Sequence, residues 1–139
     1  MIRLGWGGAA AGLAAALTLL APWARSGTTD HSSIDLLDSA GALDVISGWQ
    51  RPAALLAWYL VVVSAATALL AVAWGRTTVG ALALLPMGPI MSVAAVIVGR
   101  SALPLRWGAL AGVIAGLTAT TVALLILMRS DSRRKEAAR

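Results

Sequence analysis

Residues 52–74 read PAALLAWYLVVVSAATALLAVAW, twenty-three positions without an Asp, Glu, Lys, Arg or His. From Leu55 to Ala73 the stretch is apolar on every face, interrupted only by Ser64 and Thr67. Membrane strands alternate polar and apolar residues over about ten positions, and this stretch does not alternate. Uniform apolarity over that length specifies a helix surrounded by lipid or by other helices. Three more such stretches follow the same rule: Leu4–Trp23, Val79–Gly99 and Trp107–Met128, again free of ionisable side chains. The four are 20, 23, 21 and 22 residues long in chain order. At ~1.5 Å per residue each reaches about 30 Å, the thickness of a hydrocarbon core. The expectation is an all-α membrane protein. Its four transmembrane helices form one bundle over residues 1–128, followed by a basic tail, 129–139.

Composition agrees. Of 139 residues, 59% are hydrophobic and 12% charged, and the mean hydropathy is +0.83, which removes the ordinary water-soluble class. Cysteine is absent, excluding disulfides, thiolate metal sites and thiol nucleophiles. Ten Arg against one Lys, with abundant Ala and Gly, indicates a high-GC bacterial origin.

The net charge of +5 is distributed as a topology signal and not as a nucleic-acid surface. Arg3, Arg76, Arg129, Arg133, Arg134, Lys135 and Arg139 fall on one side of the expected bundle, and Arg25, Arg51, Arg100 and Arg106 on the other. Seven against four places both termini in the cytoplasm and residues 24–51 outside. Trp6, Trp23, Trp49, Trp74 and Trp107 mark span edges, where an apolar ring with one N–H donor prefers to sit. Trp58 lies deeper, as an interfacial or packing residue. Residues 21–24, Ala-Pro-Trp-Ala, make a poor small-x-small cleavage site, so the first stretch reads as a retained span.

Helices in lipid associate through close packing rather than burial from water. Gly108, Gly112 and Gly116, continued by Thr120, form a small-residue stripe on the fourth span; Gly8, Gly12 and Ala16 form a shorter one on the first. These are the expected helix-packing positions, within one bundle or between copies. Pro86, Gly88 and Pro89 interrupt the third span. Each proline removes a donor and clashes with the carbonyl four residues back, here Leu82 and Leu85, so a kink or opened turn is expected. Its freed carbonyls await either packed neighbours or, as in transporters, an ion.

In the external segment, Ser32-Ser33-Ile34-Asp35 has capping-box spacing and predicts a helix start. Ile34, Leu37 and Ala40 share its apolar face, with Asp35 and Asp38 pointing elsewhere, Gly41 as a stop and Leu43–Ile46 as a second turn. One or two amphipathic helices would rest on the outer face or dock a partner. Asp30, His31, Asp35 and Asp38 match no established ligand spacing, and the single histidine beside Ser26, Ser32 and Ser33 makes no triad. No catalytic, cofactor-binding or metal residue is assigned. The tail is read as short and frayed, its Arg133-Arg134-Lys135 cluster facing anionic lipid.

Trp23-Ala24-Arg25-Ser26-Gly27, followed by Ser32-Ser33-Ile34-Asp35-Leu36, resembles a group of small actinobacterial integral membrane proteins. In that group the first helix also exits through a Trp-x-Arg-Ser-Gly-like turn into a Ser-rich loop ahead of three further helices. The resemblance implies the architecture and an origin, and no activity. Small multidrug exporters have this size and helix count, but the membrane-embedded Glu on which they depend has no counterpart in the first span.

These features point to a non-enzymatic accessory or scaffold subunit of the bacterial cytoplasmic membrane. Its partners would be the bilayer, a second copy or other membrane proteins, and not nucleic acid. The alternative is a small uncoupled transporter or channel that uses the interrupted third span and Thr118, Thr120 and Thr121 as lining. An enzyme is the weakest reading, because its acids and bases would have to come from unorganised loop residues.

Overall fold

The computed structural model describes residues 2–42, 48–100 and 103–137. The chain is mostly helical: α1 (Ile2–Thr18), α2 (Ser33–Ala42), α3 (Gln50–Ala73), α4 (Thr77–Leu84), α5 (Met87–Arg100) and α6 (Trp107–Ala137), with a hairpin of β1 (Ala24–Ser26) and β2 (Thr29–His31) after α1. Three segments are long and apolar enough to cross a membrane: Gln50–Ala73, Thr77–Arg100 across the α4–α5 break, and Trp107–Ser132.

The first stretch departs from its expected length. α1 has 17 residues and stops at Thr18, five residues before Trp23. The chain then tightens into i→i−3 bonds, with the amides of Leu19, Leu20 and Ala21 donating to Ala16, Leu17 and Thr18. Pro22 explains the stop, since it has no amide donor and disfavours helical geometry in the residue before it. The four expected spans thus become three long apolar segments plus a shorter α1.

α3 ends on Gly75, whose φ of 73° is the left-handed geometry only glycine adopts freely. The Gly75 amide donates to Val72 O at 3.0 Å and the Arg76 amide to Ala71 O at 2.7 Å, the paired bonds of a Schellman turn. That turn sends α4 straight back along α3. α1 packs mainly on α6 and α3, and α5 on α6. Ala15, Ala68, Ala109, Ala119 and Ala123 are fully buried at these contacts, with Leu84, Met87 and Met91 filling between them.

Two other expectations shift. The C-terminal tail is not frayed after Met128; α6 continues as helix to Ala137. α2 begins where expected but runs past Gly41 to Ala42, and the proposed turn over Leu43–Ile46 lies outside the described residues.

Candidate functional site: a locked cap and a plugged helix break

The first feature is a cap over one end of the bundle. The two-residue loop of the hairpin needs a positive φ, which Gly27 supplies at 59°. Pairing Arg25 with Asp30 then turns the chain back over α1. On its other edge Ala24 bridges to Leu105. The Arg25 amide donates to Pro104 O, the Arg106 amide to Trp23 O at 2.9 Å, and the Gly108 amide to Pro22 O at 3.0 Å. The last bond satisfies one of the orphan amides at the start of α6. Arg106 Nε donates to Asp30 Oδ1 at 3.1 Å, and Arg25 Nε lies 3.9 Å from the same oxygen. Both ion pairs are solvent-exposed and worth at most about 1 kcal/mol, so the backbone pairing carries the cap.

Trp23 is the centre of this arrangement. Expected as an interfacial edge residue, it is 1% exposed and among the largest fully buried side chains of the described residues. Its Nε1 donates to Thr18 O at 2.6 Å, a carbonyl at the end of α1 that also accepts from the Ala21 amide at 3.1 Å. The other predicted edge residues, Trp6, Trp49, Trp74 and Trp107, are exposed as expected. Trp58 is half-buried, and its Nε1 donates to Ser33 Oγ at 3.2 Å. Ser33 Oγ in turn donates to Leu19 O at 2.6 Å, tying α3, α2 and the end of α1 together.

The capping box forms. The Ser32 amide and hydroxyl donate to Asp35 Oδ2 at 3.0 and 2.7 Å, and the Asp35 amide donates to Ser32 Oγ at 3.3 Å. The Ser32 hydroxyl, then its amide, hold the Asp35 carboxyl below the ordinary aspartate value. Its folded pKa therefore lies below its unfolded one. The carboxylate supports α2 above the ordinary carboxylate range, and that support is lost as pH falls through the folded value. Protection of the Ser32 amide, its exchange taken relative to the intrinsic rate at each pH, is expected to fall on acidification in the native chain, and to be low and nearly insensitive to this titration in Asp35→Asn.

Leu36 packs against the core, whereas Ile34 is 38% exposed. Leu37 is half-buried, and Asp35 and Asp38 face solvent. Asp30 is engaged by Arg106 and Asp35 by Ser32, and among the described residues no three His, Asp or Glu side chains converge as a metal site.

The second feature is the break between α4 and α5. Leu85 O, freed by Pro89, accepts from Thr120 Oγ1 at 3.2 Å, and Leu84 O lies 3.3 Å from the same hydroxyl. The Gly88 amide donates to that oxygen at 2.9 Å. Leu82 O, freed by Pro86, accepts from the Leu85 amide at 3.4 Å. One side chain from α6 thus closes the opened turn, and of the three threonines grouped in the sequence only Thr120 does so. Thr118 Oγ1 donates to its own helix at Ile114 O, and Thr121 is exposed. Thr120→Val, nearly isosteric, leaves a buried donor and acceptor unpaired and is expected to lower stability by about 1–2 kcal/mol. Loss of protection at the Gly88 amide would report it, and Thr120→Ser should retain most of that protection.

Both glycine stripes are filled by this chain. A Cβ at Gly108 would strike Pro22 O; at Gly112, Met91 Cε and Thr18 Oγ1; at Gly116, Met87 O at 3.1 Å. A Cβ at Gly8 would meet Leu84 and Val122, and at Gly12 Leu84 and Met87. The stripes seat α1, α5 and the cap against one another. Sequence reasoning missed the Trp23 lock, the hairpin and the Ser33–Trp58 link; Ser26-Gly27 between Arg25 and Asp30 was the one local signal for the hairpin. No protein-family model, curated protein or solved structure matches the chain, so the functional reading rests on these contacts.

Proposed function

We propose that the chain is a multi-pass protein of the bacterial cytoplasmic membrane, with α1, α3, α4–α5 and α6 as four spans of one bundle and both termini cytoplasmic. It acts as a non-enzymatic accessory or scaffold subunit. The observation that carries this reading is how the polar groups of the helix contacts are used. Trp23 Nε1, Thr18, Ser33 and Thr120 all bond backbone or one another within the chain, and the apolar stretches 4–23, 52–74, 79–99 and 107–128 hold no ionisable group. Such a site fixes shape and offers no acid, base or coupling charge. At 17 residues, α1 is at the short end of what spans a bilayer.

Both stripes are filled internally, and the cap offers a partner surface where Ile34 stands exposed beside Asp35 and Asp38. The partner is another envelope membrane protein or a second copy. The basic end of α6 meets anionic lipid, which attracts each Arg or Lys near the surface by about 1 kcal/mol. Cross-linking in native membranes, followed by identification of the captured chains, is expected to return a specific partner that Ile34→Glu releases. Reproducible solute flux from vesicles holding only the purified chain would replace this reading with the transporter. Orientation is tested separately, since the chain has no native thiol. An impermeant reagent on intact cells should label Thr28→Cys and spare Ser132→Cys, and the reverse pattern inverts the topology.

A further inference from the structure

The cap gathers two guanidiniums around one carboxylate. Arg25 and Asp30 are paired across the hairpin, and the Arg106 amide is tied to Trp23 O, so backbone bonds fix where all three side chains begin. Asp30 Oδ1 accepts from Arg106 Nε at 3.1 Å, and Arg25 Nε stands 3.9 Å from the same oxygen, beyond hydrogen-bond reach. The two Nε atoms are therefore no farther apart than the sum of those distances, about 7 Å. A guanidinium carries five N–H donors. Of the ten in this cluster, only Arg106 Nε–H is hydrogen-bonded to a described residue, and Arg25 Nε is buried without an acceptor. A buried donor left unpaired is costly and calls for an acceptor the chain does not supply.

Among the other described acids, Asp35 is held by Ser32 and Asp38 pairs with neither arginine. Asp131 and Glu136 lie roughly 36 Å or more along α6 from its start. One positive charge stays uncompensated, and with side chains 41% and 37% exposed the cluster is open to a ligand from outside. The neighbours of Arg106 indicate which anion. It stands between Leu105 and Trp107, 40% and 62% exposed, at the start of a helix long and apolar enough to cross a membrane. An exposed Trp at such a start sits at the headgroup level of the bilayer. Two charge-assisted bonds of about 2.8 Å, each to a different oxygen of one phosphate, bridge guanidiniums at this separation. The geometry points to a binding site for one phosphate group between Arg25 and Arg106, carried by a phospholipid headgroup of the cap-side leaflet. Free phosphate shares that chemistry, and the test separates the two sources.

The full chain, purified in mild detergent, would be titrated with phosphatidylglycerol and with diacylglycerol of the same acyl chains, and weighed by native mass spectrometry. Inorganic phosphate would be followed separately by phosphorus NMR line broadening. One phosphatidylglycerol is expected per chain, at least tenfold over diacylglycerol, which lacks the phosphate. Arg25→Gln and Arg106→Gln should each weaken retention about fivefold, the value of one interfacial cation. Arg51→Gln, at an exposed arginine outside the cluster, should change it less than twofold. Exposed ion pairs add little stability, so both cluster variants should keep the native unfolding midpoint, and if one misfolds the other still decides. The site is overturned if diacylglycerol is retained as well as phosphatidylglycerol, or if the folded cluster variants lose no more than Arg51→Gln does. Phosphate broadening that both cluster variants abolish, with no phosphatidylglycerol retained, overturns the headgroup in favour of the free ion. The headgroup assignment rests on the membrane reading, so membranes holding each variant are also extracted at alkaline pH. Lost retention with the chain still in the membrane removes the site alone, whereas a native chain released by alkali removes the membrane reading.

Discussion

Trp23→Ala is expected to destabilise the folded chain by about 3–5 kcal/mol, the range for deleting a large aromatic from a packed site. The side chain is 1% exposed, and its ring approaches the position a Cβ would take on Gly112 to 3.4 Å. Its loss therefore opens a void where α1, α6 and the cap meet. It also strips Thr18 O of its 2.6 Å donor, leaving that carbonyl only the Ala21 amide at 3.1 Å. Trp23→Phe separates the two effects. It keeps most of the volume and should forfeit about 1 kcal/mol for the hydrogen bond, with any remaining loss due to the smaller ring. Thermal unfolding in micelles measures both. A midpoint for Trp23→Ala equal to that of the native chain would mean the cap does not hold the bundle end.

Gly88→Leu is expected to be comparably severe, at about 3 kcal/mol or more, because overpacking here cannot be relieved by rotating a side chain. A Cβ on Gly88 would lie 2.8 Å from Thr120 Oγ1, 3.2 Å from Gly116 O and 3.3 Å from Leu117 Cα. Two of those three atoms are backbone, so α5 must move off α6, and the Thr120 bonds across the break go with it. Gly7→Leu is the matched control. Nothing lies within 4 Å of its Cβ position, and a change of less than about 0.5 kcal/mol is expected there. Similar midpoints for the two variants would argue against close α5–α6 packing.

What was legible in the sequence was what is local or uniform. The α3, α4–α5 and α6 spans show because apolarity runs unbroken for twenty residues or more. The Pro86–Pro89 break shows because proline acts on its own turn, and the Ser32–Asp35 box because its partners are three residues apart. The end of α1 was obscured by hydropathy that continues through Leu19, Leu20 and Trp23, although Pro22 was in plain view. The cap left almost no trace. Its strands are three residues each, too short for a period, and its edge is completed by residues 104–108, some eighty positions on. The ten-residue α2 allowed two apolar stripes, and contact with the core selected Leu36 over Ile34.

Thr120 and the start of α6 have a consequence for biogenesis. Synthesis runs from the N-terminus, so α4 and α5 are made before α6 exists. Until it does, Leu84 O, Leu85 O and the Gly88 amide have no Thr120, and Pro22 O at the cap has no Gly108 amide. Among the described residues, the closure of the helix break and the Pro22 bond of the cap therefore wait on α6, whereas the Ser33 links do not. A nascent chain arrested before Trp107 would lack the Thr120 bonds at the helix break and the Gly108 bond at the cap, so neither feature closes until α6 is made.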